Sequence, residues 1–137
     1  MLKMQKRRLS GNMEDYLEAI LCIGERQAAV RVRDIAMHMD ITMPSVTGAL
    51  KNLERQGFVR HPRYDWIDLT PGGRRIAVEV FSRHQTLRGF LTDVLGIDQA
   101  TAERDACGME HAVSAVTLDR LVRFMKNRPR AARKRRA

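Results

Sequence analysis

Residues 32–57, VRDIAMHMDITMPSVTGALKNLERQG, decide the fold of this chain. Apolar residues recur at intervals of three and four in two runs: Val32, Ile35, Ala36 and Met39, then Val46, Leu50 and Leu53. Thr42 or Met43 is the expected N-cap of the second run, and Pro44 suits its first turn. Gly57 is expected to end it. The segment therefore predicts a helix from Val32 to Met39, a short link, and a helix from about Pro44 to Gln56.

The flanks of this segment complete a winged helix-turn-helix. A preceding helix is predicted from Asn12, its expected N-cap, to about Arg26. Two short strands are expected around Phe58–His61 and Trp66–Leu69, joined by a polar tip. Three helices followed by a hairpin is the order of a winged helix-turn-helix. In that fold the third helix enters the major groove and the wing lies along the DNA backbone.

The exposed face of the third helix favours DNA binding, because its only acid is Glu54. The expected DNA contacts are Thr42, Pro44, Ser45, Thr47, Gly48, Lys51, Asn52 and Arg55, with Arg60, His61, Arg63 and Tyr64 from the wing. The alternative is a small α+β domain that does not bind DNA. Gly48 costs roughly 1 kcal/mol relative to alanine inside a helix. Either close approach to DNA or loose packing against another helix explains it.

Downstream of the wing the pattern is entirely helical. Thr70 and Pro71 begin a long helix that runs through His84, and an amphipathic stretch follows to Gly96. Further helices are expected from Asp98 to Ala106 and from Thr117 to about Met125. Each is short and apolar on one side, which predicts a homodimer interface whose two-fold symmetry matches a palindromic operator. The predicted class is mainly α, with a winged helix-turn-helix followed by an all-helical domain.

Six potential metal ligands occur in three short pieces: Asp15 and Glu18, then His84, then Cys107, Glu110 and His111. Residues three and four apart share a helix face. A thiolate, imidazoles and carboxylates suit a divalent first-row transition metal, whereas Mg²⁺ and Ca²⁺ prefer oxygen ligands only. A zinc finger is excluded, since no second cysteine pair stands at finger spacing. Taken singly, each residue has an ordinary explanation, such as an acid at a helix start or a buried thiol.

Charge and length set the limits of the interpretation. The net charge of +9 over 137 residues comes from the two ends, where eleven basic residues lie in 1–8 and 126–136, so the middle is close to neutral. These tails either contact phosphates or only aid solubility. The expected organisation is a basic arm (1–11), a winged helix-turn-helix (12–70), a helical dimerisation and metal-binding domain (71–126) and a basic tail (127–137).

Cys22 and Cys107 are too few for a disulfide framework, which favours a reducing compartment. No apolar run approaches the roughly 20 residues of a membrane span. The basic N-terminus leads into no apolar core of a signal peptide. We therefore expect a cytoplasmic protein.

Several pieces together resemble the diphtheria-toxin-repressor/manganese-transport-regulator (DtxR/MntR) family of metal-dependent repressors. They are Met13-Glu-Asp-Tyr-Leu-Glu18, Val32-Arg-Asp-Ile-Ala36, Ser45-Val-Thr47, Leu69-Thr-Pro-x-Gly73, Arg83-His84 and Cys107-x-x-Glu-His111. The resemblance implies that the six residues named above bind metal and that the helices after Pro71 dimerise. It also implies the two-domain form of the family, without an SH3-like domain.

The resemblance also bears on the metal. Asp15 and Glu18 are similar to the manganese branch, whereas Cys107 is similar to the iron branch, and the soft thiolate slightly favours Fe(II) over Mn(II). Arg88 stands where an accessory acid is expected, so a complete second metal site is in doubt, although Glu103 could partly replace that acid. The iron branch has glutamine at the position of Gly48, so direct base reading there is lost and DNA shape or water could carry more of the specificity.

The expected function is a metal-dependent repressor that binds operator DNA as a homodimer and controls metal homeostasis. Bound metal would fix the DNA-binding module relative to the helical domain, and without metal the acids would repel one another. The alternative is a repressor of the same fold that is independent of metal or responds to redox state through Cys107. An enzyme is not expected, since nothing in the sequence supplies a nucleophile or oxyanion donors.

Overall fold

The computed structural model describes residues 10–61 and 66–128. Its elements are α1 (Gly11–Arg26), α2 (Val32–Met39), α3 (Met43–Arg55), β1 (Val59–Arg60), β2 (Asp68–Leu69), α4 (Pro71–Gly89), a π-helical segment (Phe90–Val94), α5 (Gln99–Met109) and α6 (Ala115–Lys126). The mainly α class is confirmed. The chain forms two compact units that divide within α4, between Val80 and Phe81. They are called the first and second units below.

The first unit is built on the three helices that the sequence predicts. Leu17 of α1, Ile35 of α2 and Leu50 of α3 are buried in its core, which confirms the helical spacing of their apolar residues. The start of α1 differs from the prediction. Ser10 is the N-cap, since its hydroxyl accepts a hydrogen bond from the Met13 amide at 3.2 Å, and Asn12 lies inside the helix.

The wing is shorter than the sequence predicts. β1 and β2 pair antiparallel, with Val59 opposite Leu69. Gly57 has a φ of 84° and ends α3 as expected. Beyond the two-residue strands, the Ile67 amide donates to the Val30 carbonyl at 2.8 Å and Arg31 pairs with Trp66, so the chain before α2 continues the sheet.

A close contact joins the wing to α4. The Thr70 hydroxyl accepts a hydrogen bond from the Gly73 amide at 3.1 Å, as an N-cap does. A Cβ atom on Gly73 would lie 1.9 Å from the carbonyl oxygen of Phe58, whereas one on Gly72 would make only ordinary contacts at 3.8 Å and beyond. Glycine is therefore required at position 73, which explains the Leu69-Thr-Pro-x-Gly73 pattern.

The second unit has a small core between the π-helical segment and α5. Leu87, Leu91, Ala102 and Ala106 are buried together in it. Asp98 is the N-cap of α5, and its hydrogen bonds with Thr101 hold the pKa of its carboxyl below the ordinary range. α5 ends at Met109, three residues later than expected, and α6 begins at Ala115, because Ser114 accepts a hydrogen bond from the Thr117 amide.

No helix of the described residues is both long enough and apolar enough to cross a membrane. The parts of the expected basic arm and tail in 1–9 and 129–137, and wing-tip residues 62–65, lie outside the described residues. The expected domain limits at 12–70 and 71–126 remain predictions.

Candidate metal centre and DNA-binding surface

The core of the second unit brings together ligands that are far apart in the sequence. His84 lies one turn before Leu87 on α4, and Glu110 lies one turn after Ala106 at the end of α5. Because Leu87 and Ala106 share one buried core, the two polar side chains meet beside it. Nδ1 of His84 lies 2.7 Å from Oε1 of Glu110, and both residues are buried.

The other ring nitrogen of His84 also contacts a carboxylate. Nε2 lies 2.7 Å from Oε2 of Glu103, and the guanidinium of Arg88 lies 3.2 Å from the second oxygen of Glu103. A neutral imidazole can donate through only one of its nitrogens. With a carboxylate beside each ring nitrogen, His84 lies in an anionic environment, which favours a bound cation.

Glu110 carries the clearest mark of a cation site. Its side chain is fully buried, yet its Oε2 accepts no hydrogen bond from any residue that the structure describes. Nε2 of His111 lies 3.4 Å from this oxygen, without the geometry of a hydrogen bond. A buried carboxylate oxygen without a donor is costly. The donor set of two imidazoles and a carboxylate fits a divalent transition metal, which would satisfy that oxygen.

Arg83 has a role that the sequence did not reveal. It is buried, and its Nε donates to the backbone carbonyl of Glu110 at 3.2 Å. Glu110 is the C-cap of α5, where carbonyl groups lack partners within the helix. Arg83 therefore holds the backbone of a candidate ligand in place. The only signal in the sequence was its position beside His84 in the Arg83-His84 pair.

Cys107 is more exposed than Arg83, His84 and Glu110, described above. Its side chain is exposed on the last turn of α5, whereas Glu110, three residues later, is fully buried. Glu103, which was only a substitute in the sequence analysis, contacts His84 directly.

Asp15 and Glu18 belong to the first unit. They lie three residues apart on α1 and are both half-buried, so they share one face of the helix as expected. A carboxylate pair at this spacing can supply two ligands to one ion.

The candidate DNA-binding surface lies on α3. Pro44, Ser45, Gly48, Lys51 and Arg55 are exposed on it, and Thr47 and Asn52 are half-buried. Thr42 is the N-cap and also donates to the Ser45 hydroxyl at 2.9 Å. On the wing, Arg60 is exposed and His61 half-buried, while Arg63 and Tyr64 lie outside the described residues.

Gly48 faces open space. A Cβ atom built on it would meet no atom within 4 Å among the described residues. Packing against another helix, one of the two explanations above, therefore finds no support in this part of the chain.

Two family models match the chain and together cover most of it. Residues 8–65 match "Iron dependent repressor, N-terminal DNA binding domain". Residues 70–134 match "Iron dependent repressor, metal binding and dimerisation domain". The chain is also 38% identical over 112 residues to the transcriptional regulator MntR of Salmonella typhimurium, covering 82% of this chain and 71% of that protein. The chain belongs to the DtxR/MntR family.

Other relatives agree with this assignment. An uncharacterised HTH-type transcriptional regulator of Methanocaldococcus jannaschii is 38% identical over 119 residues, covering 86% of this DtxR/MntR member and 95% of that protein. A solved structure of a manganese-dependent transcriptional repressor in complex with manganese matches with a TM-score of 0.76 at 29% identity, covering 82% of this chain and 51% of that one. The chain spans about half the length of that structure and of the manganese regulator SloR, another matched structure. The family consists of metal-dependent transcriptional repressors, not of enzymes.

Proposed function

We propose that this protein is a repressor that binds operator DNA as a homodimer when it is loaded with Mn(II) or Fe(II), and so controls metal homeostasis in the cytoplasm. The observation that carries the proposal is the buried Glu110 carboxylate, which has one oxygen without a hydrogen-bond donor among the described residues. This carboxylate lies in the segment that matches a metal-binding and dimerisation domain. A metal ion there would stabilise a group whose burial is otherwise unfavourable.

The proposed ligands are Asp15, Glu18, His84, Glu110 and His111, and Cys107, the sixth residue expected from the sequence, is exposed. Support is strongest for Glu110, whose two carboxylate oxygens lie 2.7 Å from Nδ1 of His84 and 3.4 Å from Nε2 of His111. Glu103 and Arg83 would orient these ligands, since Glu103 contacts the second ring nitrogen of His84 and Arg83 donates to the Glu110 backbone carbonyl. Contacts of this kind orient metal ligands.

The proposed mechanism couples the ligands to DNA affinity. When bound, the ion supplies the positive charge that lets several carboxylates share one site. Asp15 and Glu18 belong to the unit that contains α3, and the other ligands belong to the second unit. Shared ligation would restrict the orientations of α3 and raise the population competent to bind DNA. Without the ion, repulsion between these carboxylates would lower that population.

For the metal itself, we propose Mn(II) ahead of Fe(II), which the thiolate had slightly favoured in the sequence analysis. Cys107 is exposed, whereas His84 and Glu110 are buried, and oxygen and imidazole donors suit a harder ion. A Salmonella typhimurium relative named MntR and a manganese-dependent repressor are among the matches.

Anaerobic titration of operator affinity with Mn(II) and Fe(II) tests both the function and the metal. We expect Mn(II) to raise the affinity for operator DNA at least tenfold. The Mn(II) response of Cys107→Ser should stay within about threefold of that of the unmodified protein, because even groups that only orient metal ligands are worth ~10–100-fold in metal affinity and a smaller change indicates no such role. If Cys107→Ser instead loses tenfold or more, the thiolate is a ligand and the Fe(II) interpretation is preferred. Operator affinity that is the same with and without metal would contradict metal dependence altogether.

The exposure of Cys107 supports one alternative, a redox-responsive repressor of the same fold. Such a protein would bind operator DNA equally with and without metal. Its affinity would change on oxidation, and Cys107→Ser would abolish that change.

The homodimer is supported by the surface of α6. None of its side chains is buried by the residues that the structure describes, although the helix is strongly apolar on one side. Val116 and Phe124 are 68% and 49% exposed, and Phe124 makes an edge-to-face contact with Phe90 at 6.1 Å between ring centroids. Exposed apolar side chains on an amphipathic helix are typical of a protein interface, and the matched family model is a dimerisation domain.

Phe124→Asp is therefore expected to weaken the dimer at least ~30-fold, as loss of a central aromatic contact does. Sedimentation velocity across a concentration series measures the change. Lys126→Asp is the matched control, because Lys126 is exposed and lies roughly opposite Phe124 on the helix. Phe124→Ala serves if the charged variant does not fold. A dimer that is equally stable in all three variants would place the interface elsewhere.

A further inference from the structure

Gly48 is not explained by its contacts with the described residues. It lies in the middle of α3, and it is not among the residues with a positive φ. A Cβ atom there would meet nothing within 4 Å among the described residues. Alanine at such a position normally shifts the folding equilibrium severalfold towards the folded state. The described residues therefore give no reason for a glycine, and contact with a molecule outside the chain would supply one.

The residues around Gly48 describe what could approach it. On a helix its neighbours are the residues three and four positions away, which are Pro44 and Ser45 on one side and Lys51 and Asn52 on the other. Pro44 is an exposed apolar ring, whereas the others offer hydrogen bonds or positive charge. A position without a side chain on this surface therefore has one apolar ring beside it and groups suited to a nucleic acid around it.

We propose that Gly48 is a notch that seats the 5-methyl group of a thymine in the major groove, so that specific affinity depends on the absence of a Cβ atom. This inference rests on the proposed function and adds the base type that α3 recognises. Thymine carries the one methyl group on the edges of the four base pairs in the major groove. A Cβ atom at position 48 would occupy the volume that the methyl group needs, and α3 would have to withdraw from the groove.

The proposal predicts opposite effects on stability and on DNA binding. Gly48→Ala should make the protein more stable and a weaker binder of specific DNA. Binding to unrelated DNA should be unchanged, because it depends on contacts to phosphates rather than on base edges. Gly24→Ala is the matched control. Gly24 is also exposed, lies within α1 of the same unit, and would gain only an ordinary contact at 3.9 Å.

The experiment begins with duplexes enriched from a random library by the full-length protein with Mn(II). Thermal melting should show that neither variant is less stable than the unmodified protein. The gain should be no more than about fivefold in the equilibrium constant for folding. On the enriched duplex we expect Gly48→Ala to bind at least tenfold more weakly and Gly24→Ala to be unchanged. On a scrambled duplex all three proteins should bind equally.

Replacing single thymines by uracil identifies the seated group. At one position in each half-site, uracil should weaken binding of the unmodified protein about fourfold, the value of one buried methyl group. Gly48→Ala should be insensitive to that replacement. Equal operator affinity of Gly48→Ala and the unmodified protein, or the absence of any uracil-sensitive position, would overturn the inference while leaving the repressor function standing. Failure of the unmodified protein to enrich any duplex would contradict the proposed function itself.

Discussion

Glu110→Gln is expected to abolish metal-stimulated operator binding while leaving the fold intact. Glutamine is close in shape to glutamate, and it replaces a buried carboxylate whose Oε2 accepts no hydrogen bond among the described residues. The metal-free variant should therefore be as stable as the unmodified protein, or more so. Its affinity for Mn(II) should fall by ~100-fold or more, since even groups that only orient ligands are worth 10–100-fold.

Two measurements separate this loss from unfolding. Circular dichroism should show the same helical content. Saturating Mn(II) at about 100 times its Kd stabilises a protein that binds it only when folded by ~2.7 kcal/mol. That rise should be present in the unmodified protein and absent in Glu110→Gln.

Glu79→Gln is the matched control, since Glu79 is an exposed carboxylate on α4. It should retain both the metal-dependent stabilisation and the metal-dependent gel shift. If Glu110→Gln retains them as well, Glu110 is not a ligand and the proposed centre is wrong.

Gly73→Ala is expected to cause the largest loss of stability of any single substitution considered above. The added Cβ atom would lie 1.9 Å from the carbonyl oxygen and 2.8 Å from the carbonyl carbon of Phe58. Both are backbone atoms, so no side chain can rotate away and either the wing or the start of α4 must move. That movement would break the hydrogen bond from the Thr70 amide to the Phe58 carbonyl and disturb the Thr70 cap. We expect a cost of about 3 kcal/mol, within the upper range for overpacking.

Urea unfolding of the metal-free protein measures the effect, with Gly72→Ala as the control. A Cβ atom on Gly72 would make contacts at 3.8 and 3.9 Å, which are ordinary van der Waals distances. Gly72→Ala should therefore unfold within about 0.5 kcal/mol of the unmodified protein. Equal stability of the two variants would mean that the backbone between the wing and α4 can shift to accommodate the Cβ atom without a loss of stability.

The helices were predictable because their signals are local. The predicted range of α2 agrees with the structure, and the structure confirms Thr42 and Gly57 as the residues that begin and end α3. Misjudged boundaries have a local cause too. Both Ser10 and Asn12 can cap a helix, and spacing alone does not show which one does. The strands proved shorter than expected, because pairing depends on the partner strand rather than on the residues of one strand.

The sequence by itself determined the family, the helical framework and the list of potential ligands, since spacing and residue type express all three. Only the tertiary structure decided how these ligands differ. It joined His84 to Glu110 across 26 residues, added Glu103 and Arg83 around them, and left Cys107 exposed while burying Glu110. The physical reason is that burial and donor supply depend on packing between helices. Helical periodicity places Cys107 and Glu110 on one face, but the packing of α5 in its own unit determines which of them is buried.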